Sequence, residues 1–452
     1  MEEQLSRYIQ SWNVNMNNGN SNNNNNRNNS NRVRAVALAD DKVAYDISFS
    51  SFVEAFEDCS KKKKSSNDYL HFLPKCQREI VKKWNTIRHA CYSPDKSKSF
   101  VVDWPVYREV FAADFADRIV HHWWALRVNP LFEERFTEQG DVSKNCRVGQ
   151  GVHVAVKEAQ RMVDEHPDWW VGRFDIEGFF MSMDKALLYE MLDIFIRDHY
   201  EGDDIDCLLY TTQCLVFHSP QDNCIRCSSL EKWSHIPPKK TLFGQPKEKG
   251  CAIGNLPSQL SANFYASVLD HWILNVKGYK HYLRFVDDFI ILMPTREELV
   301  AFVPELKHFL KEQLLVNLHP KKIYIQPVRN GVLFVGAMIK PGRTYISNRT
   351  RGRMCYKLSF YNQIAENGEA LQYLEKFVGS MNSYLGMSIH YRTFKIRRKL
   401  YEMVNPIWWQ YCYMGKDYKK FVIKKQYRPL EITKKKVKSG AYRKILMPEL
   451  YL

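Results

Sequence analysis

No run of apolar residues in this 452-residue sequence approaches the roughly eighteen that a membrane-spanning helix requires. The N-terminal stretch lacks the apolar core of a signal peptide, so a soluble, cytoplasmic protein with no membrane partner is expected. Acidic residues are in short supply: 50 Asp and Glu stand against 66 Lys and Arg, a formal charge of +16. That deficit favours a polyanionic partner, with nucleic acid ahead of a membrane surface. Cysteine is odd in number, 11, and scattered through a long chain, which argues against a disulfide framework and for reduced thiols. Close cysteine pairs are nearly missing. Cys224 and Cys227 form one C-x-x-C, with Cys207, Cys214, Cys251, His218 and His235 nearby, but no second pair follows at zinc-ribbon spacing, and no zinc site is expected. Internal repeats are absent.

What is present is a chain 45% hydrophobic and 13% aromatic, enough for two or three domains with real cores. Residues 1–47 are the exception, because thirteen of the nineteen residues from Asn13 to Asn31 are asparagine. Such a run buries little apolar surface and presents many amides, so it is expected to be disordered. In residues 48–345, Phe52, Ala55, Phe56 and Cys59 recur at helical spacing before the solvated lysine run Lys61–Lys64. Strand and helix patterns then alternate, predicting a mixed α/β (α+β) body. Residues 346–415 have helical periodicity and few strand signals, predicting a separate helical lobe. The 416–452 segment is a basic tail. From Lys416 to Lys444 it holds twelve Lys or Arg against Asp417 and Glu431, with Tyr418, Phe421, Tyr427 and Tyr442 interleaved. It reads as a phosphate-contacting and stacking surface, or simply as a solvated tail. The tryptophan pairs Trp123–Trp124, Trp169–Trp170 and Trp408–Trp409 are expected in cores or between domains.

Two segments carry chemistry. In WWVGRFDIEGFFMSMD an apolar run ends in Asp175, followed by Gly178, Phe179 and Phe180, and Asp184 opens a helix. In HYLRFVDDFIILM, Asp287 and Asp288 interrupt two short apolar runs that read as a hairpin. Adjacent carboxylates between buried strands repel each other unless a cation neutralises them. With Asp175 at the end of a neighbouring strand, the three converge on a site suited to Mg²⁺, which takes oxygen ligands. Two such ions, roughly 3.5–4 Å apart, stabilise the attacking and leaving oxygens of an in-line phosphoryl displacement.

RFDIEGFF and FVDD resemble the two metal-binding motifs of reverse transcriptase palms, with Phe285 where Tyr is more usual. GCAIGNLPSQLSANFYASVLDHWI stands between them, as the segment contacting template and nucleotide does in those enzymes. LLVNLHPKKIYIQPVRNGVLFVGAMI follows, similar to the late palm and primer-grip hairpin, and VYREVFAADFADRIVHH and NCRVGQGVH are similar to fingers segments. The resemblance covers roughly residues 50–400. It implies a right-hand polymerase, with fingers and palm in 48–345, the palm an antiparallel sheet with packed helices, and a helical thumb in 346–415. The implied activity is that of an RNA-directed DNA polymerase using two Mg²⁺ ions, dNTPs and a template RNA copied into cDNA. Asp175, Asp287 and Asp288 become the catalytic carboxylates, with Ile176 counted beside them at the metal. Phe180 matches the aromatic under the sugar that excludes a 2′-hydroxyl, next to Phe179. Arg147 lies in the fingers loop where a guanidinium clamps triphosphate. Lys321 or Lys322 lies where a lysine approaches pyrophosphate, and the sequence does not choose between them.

Between the carboxylate motifs most reverse transcriptases carry QGxxxSP. Here Ile253, Gly254, Asn255, Leu256, Pro257, Ser258 and Gln259 spell IGxxxSQ, which resembles the form in diversity-generating retroelements. Those systems copy a template RNA with errors at adenines, and an amide replaced by Ile253 removes hydrogen-bonding groups near the nascent pair. Gly254 and Gln259 are implied at the nucleotide, whereas Pro257 departs from the Thr of the commonest form and reads as a first-turn residue of the next helix. The family also implies a basic, pentameric accessory variability determinant protein, and a β-hairpin where Cys224 and Cys227 lie. In that setting the Asn-rich stretch, necessarily encoded by adenine-rich codons, reads either as a translated template repeat or as a plain low-complexity segment. The rivals are a retron or phage-defence reverse transcriptase and, from another class, an inactive RNA-binding scaffold.

Overall fold

The structure, a computed structural model, describes residues 44–104 and 106–428. The Asn-rich segment, with its reading as a template repeat, lies outside these residues, as does the basic segment beyond Arg428.

Phe52, Ala55, Phe56 and Cys59 are all buried on α1 (Phe49–Ser60), and Lys61–Lys64 form the turn after it. α2 (Cys76–Arg88) and an antiparallel pair, β1 (Ser97–Val102) and β2 (Arg108–Ala112), precede the long α3 (Phe115–Glu138). Asp114 starts α3 by accepting a hydrogen bond from the Ala116 amide at 2.9 Å, and Trp123 and Trp124 are buried on it. α4 (Val152–Glu165) leads into β3 (Trp170–Asp175). Gly178, at a φ of 57°, then turns the chain into one helical turn over Phe179–Ser182. Asp184 caps α5 (Lys185–His199) through the Ala186 and Leu187 amides, both at 3.1 Å, and α6 (Ile205–Phe217) packs on it.

The segment around Cys224 and Cys227 departs from the implied hairpin. Cys224–Arg226 is a single strand, β4, that pairs in parallel with β1, and helical turns follow it. Buried Glu109 of β2 fixes those turns by accepting hydrogen bonds from the Thr241 hydroxyl and, at 3.1 Å, the Leu242 amide. α7 (Leu256–His271) carries Pro257 in its first turn, as expected, where a missing N–H costs nothing.

After α7 come β5 (Tyr282–Phe285), β6 (Asp288–Met293), α8 (Arg296–Gln313) and β7 (Tyr324–Pro327). The central sheet has the order β5–β6–β3–β7 and is antiparallel throughout. Alternation sends Phe289, Ile291 and Met293 into the main core with α7 and α8, while Ile290 and Leu292 face α4 on the other side. Both faces are covered. This is why FIILM reads as an unbroken apolar run rather than an alternating one. A second sheet, β8 (Val332–Phe334), β9 (Ala337–Lys340) and β10 (Arg343–Ile346), shares the α4 core.

The C-terminal lobe contains α9 (Asn348–Glu366), α10 (Ala370–Ser388) and α11 (Phe394–Glu402) around a core of its own that includes Phe377 and Trp408. It does not end at residue 415. β11 (Cys412–Met414) pairs with β12 (Phe421–Ile423), and the side-chain amide of Asn382 brackets the backbone of Phe421 at 2.9 and 2.7 Å. The described part of the basic segment therefore belongs to the lobe. The architecture is mixed α/β as expected, with a helix-packed antiparallel sheet and a largely helical C-terminal lobe. No helix among the described residues is long and apolar enough to cross a membrane.

Candidate active site

The pairing of β3 with β6 sets Asp175 opposite Asp288. One residue further, the Ile176 amide donates to the Asp287 carbonyl at 3.0 Å, so the end of β3 is laced to the turn between β5 and β6. That turn consists of Val286 and Asp287 alone, since Phe285 already pairs with Asp288. Val286 takes the left-handed conformation that such a turn demands, with a φ of 60°, although a β-branched residue is strained there. Strain of this kind, about 1–3 kcal/mol, persists only where the surroundings impose it.

The surroundings here form a buried polar network. Arg284 of β5, fully buried, forks onto equally buried Asp270 of α7 at 2.7 and 2.5 Å and reaches the Val286 carbonyl at 3.1 Å. Tyr282 donates to the same carboxylate at 2.8 Å. Asn263 of α7 accepts from Arg284 at 3.0 Å and from Ser143 at 2.6 Å, and donates to the Asn145 carbonyl at 3.1 Å. The carboxylate turn, α7 and the loop after α3 are thus joined by one network.

Lys322 reaches both oxygens of Asp175 at 2.8 Å. It arrives there because the segment after α8 runs beside the end of β3: the Glu177 amide donates to the Asn317 carbonyl and the His319 amide to the Asp175 carbonyl, each at 2.8 Å. Lys321 is exposed and only its backbone takes part, through His319 at 3.2 Å. On the other side, Arg173 of β3 grips Asp288 with two hydrogen bonds of 2.9 and 2.8 Å. Burial, with the negative charges of Asp175 and Asp288 adding to it, pushes the Asp287 carboxyl up to about 6. Burial also raises Asp288, against the pull of Arg173.

This donor set fits a hard divalent cation. All its donors are oxygens, and they carry a local excess of negative charge. Asp288 is engaged by Arg173 and Asp175 by Lys322, so a metal held by Asp175 and Asp287 requires Lys322 to give way at Asp175. The side chain of Ile176 is fully buried, leaving only its backbone to face the site.

A second group of residues assembles on β2. The Phe111 amide donates to the Ile253 carbonyl at 2.8 Å, and the Cys251 amide to the Phe180 carbonyl at 2.7 Å. Phe180 and Ile253 lie half-buried on one small cluster of Phe111, Met181, Leu242 and Ala252. Gly254 has a φ of 115°, and a Cβ there would stand 2.5 Å from the Phe111 carbonyl oxygen. Only glycine lets this loop lie so close to β2. Phe179 is buried in the main core rather than in this cluster.

Arg147 and Gln259 form a third group. The Cys146 thiol donates to the Gln259 carboxamide at 3.8 Å. The Arg147 guanidinium is buried, bound to Glu133 and Asp141 at 2.8 Å each and to the Ser143 carbonyl at 3.1 Å. Its charge is neutralised by these two carboxylates. Cys224 and Cys227 lie on and just after β4, away from the carboxylates in sequence and in sheet.

Sequence reasoning missed Arg173, Arg284, Asp270, Asn263 and Ser143. A signal existed for Arg173, which stands two positions before Asp175 on a strand and so on the same face. None existed for Asp270, which looks like any polar residue of a helix.

No family model matches this sequence, and no curated protein matches it. Among solved structures the chain is similar to telomerase from Candida albicans in complex with a TWJ fragment of telomeric RNA, at 12% identity and a TM-score of 0.39, over 68% of this chain and 54% of that one. It is similar also to apo telomerase from Candida tropicalis, at 12% identity and a TM-score of 0.41, over 69% and 56%. The chain thus spans about half the length of these neighbours.

Proposed function

We propose that the protein is an RNA-directed DNA polymerase whose palm is the β5–β6–β3–β7 sheet. The observation that carries this reading is the pairing of Asp175 with Asp288 across two strand ends, with the Asp287 backbone laced to Ile176 beside them, Lys322 on Asp175 and Arg173 on Asp288. Asp175 and Asp287, with the Ile176 backbone beside them, would hold Mg²⁺. The bound metal supplies charge stabilisation for in-line transfer of a nucleotidyl group. Lys322 is assigned to hand a proton to departing pyrophosphate once it is released from Asp175. The Arg284–Asp270 network fixes the turn so that Asp287 does not drift, and preorganisation of this sort is most of what phosphoryl transfer asks of a protein. Phe180 and Ile253, on one platform, are assigned to the sugar and the base of the incoming dNTP, with Gly254 shaping the loop and Phe179 supporting it from the core. Gln259 and Arg147 belong to the fingers side of the same pocket. Release of Arg147 from Glu133 and Asp141 is then required before it meets a triphosphate.

At finer grain, we propose the mutagenic polymerase of a diversity-generating retroelement. Template RNA, cDNA and a basic pentameric accessory protein are its partners, and the retron or phage-defence enzyme is the rival. The support is Ile253 at the platform, where an apolar side chain offers the base no hydrogen bond. RNA-templated extension of a DNA primer in Mg²⁺, followed by sequencing, tests both levels. Misincorporation concentrated opposite template adenines and reduced by Ile253→Gln supports the fine reading. A uniform error spectrum unchanged by that substitution removes it, and an absence of any extension by the wild-type chain removes the polymerase itself.

A further inference from the structure

The carboxylates occupy one end of the central sheet. At the other end, where β3 and β5 begin, three side chains from two distant parts of the chain meet: Glu165, the last residue of α4, His166 beside it, and His281, which immediately precedes β5. One ligand atom from each lies within 4.8 Å of the others. No other group of this kind occurs among the described residues.

The backbone anchors are rigid. The His166 amide donates to the Met162 carbonyl at 3.2 Å, closing α4, and the His166 carbonyl accepts from Trp169 at 3.2 Å. The His281 carbonyl accepts from Leu292 of β6 at 2.9 Å, which ties it to the sheet. Trp169 forms a wall: its ring stacks on His166 at 3.8 Å between centroids and stands perpendicular to His281 at 5.1 Å. The two imidazoles are 4.2 Å apart and steeply inclined, so their nitrogens approach one another without stacking. Both rings are half-buried, whereas Glu165 is exposed.

We infer that Glu165, His166 and His281 form a binding site for a borderline divalent cation of the Zn²⁺ class, distinct from the Mg²⁺ site proposed at Asp175 and Asp287. Two imidazoles and a carboxylate are a common three-ligand set for Zn²⁺, with water completing a tetrahedron. Ligand distances of about 2.0–2.2 Å require the three donors to draw together by an ångström or so. Half-exposed side chains on fixed backbones can make that adjustment. Arg161 competes for Glu165, at 2.5 Å in a pair that is open to solvent, but it also holds Glu158 at 2.6 Å and retains that partner when Glu165 turns to metal. Bound metal would fasten the end of α4 to the entry of β5, the strand that leads to Val286 and Asp287. Its role is structural, and it does not depend on the polymerase reading.

The test uses the full chain, stripped with chelator and titrated with Co²⁺ and then Zn²⁺. Wild type should take up one equivalent of Co²⁺ with visible d–d absorption and no thiolate charge-transfer band, displaced by Zn²⁺, and its thermal midpoint should rise with Zn²⁺. His166→Ala and His281→Gln should each weaken that equivalent at least about tenfold, judged on variants with wild-type circular dichroism in chelator. Asp287→Asn should keep it, as should Cys224→Ser with Cys227→Ser. Overturning results are the same stoichiometry and spectrum in both histidine variants, a thiolate band abolished by the cysteine substitutions, or no metal-dependent rise in the midpoint.

Discussion

Single residues at the turn decide whether the carboxylates can do their work. Arg284 and Asp270 are both fully buried, and removing one partner strands the charge of the other, a loss of about 3–5 kcal/mol. Arg284→Ala should therefore lower the urea midpoint strongly, and the double change Arg284→Met with Asp270→Leu should recover a large share of the stability. The double variant should still extend primers poorly, because nothing then holds the Val286 carbonyl at its left-handed turn. Wild-type extension by a stably folded double variant would refute the positioning role. Gly254→Ala is a second residue-scale case. The added carbon meets the Phe111 carbonyl at 2.5 Å on a backbone that side chains rarely adopt, so a loss of roughly 1–3 kcal/mol is expected, together with a displaced Ile253. A thermal midpoint equal to wild type would show that the loop yields. The sequence made the strand-end position of Asp175 and the turn position of Asp287 legible, since these are local signals, but not the close approach of Gly254 to β2. It gave no access to the partners of Arg284 or Arg147, because an ion pair between a strand and a helix, or the burial of a loop guanidinium, is set by tertiary contacts.

At the level of elements, the agreement follows how far each pairing reaches along the chain. The carboxylate hairpin, the Asp184-capped α5 and the Pro257-started α7 are local and were legible. β4 pairs with β1 across the whole stretch from Val102 to Cys224, and β12 closes back on β11 through a lysine-rich turn, so neither pairing was. Charge pattern alone marked the latter as tail. Phe421 breaks that pattern, since it is buried against Phe377 with its backbone held by Asn382. Phe421→Ala should cost the C-terminal lobe about 3–5 kcal/mol, visible as an earlier unfolding transition and increased proteolysis between α10 and β11. An unchanged digestion pattern would return residues 416–428 to the status of a tail.

The whole molecule carries a formal charge of +16, and the RNA binding proposed above should fall steeply as salt rises, with a linear log–log slope. Acid should weaken the fold by a separate route. Burial drives His121 down to about 3, with His218 adding to it, and burial lowers His218 and His271 to about 4. These rings are neutral in the folded chain but take up protons in the unfolded chain near 6.5, so their contribution is complete above about pH 6.5 and is lost as pH falls. Asp287 acts with the opposite sign below about 6, so the informative quantity is a difference between variants. His121→Asn should flatten the acid slope by up to about 1.4 kcal/mol per pH unit, measured from urea midpoints between about pH 7 and 5.5. Parallel slopes would place His121 elsewhere than in this titration. The central claim, that the ends of β3 and the β5–β6 turn form a nucleotidyl-transfer site, is tested most directly by RNA-templated primer extension with wild type and Asp287→Asn side by side in Mg²⁺. Removing that carboxylate charge should leave the fold intact and abolish extension to background, a fall of at least about a thousandfold given the share of such reactions that charge stabilisation supplies. Equal extension by the two proteins would contradict the account.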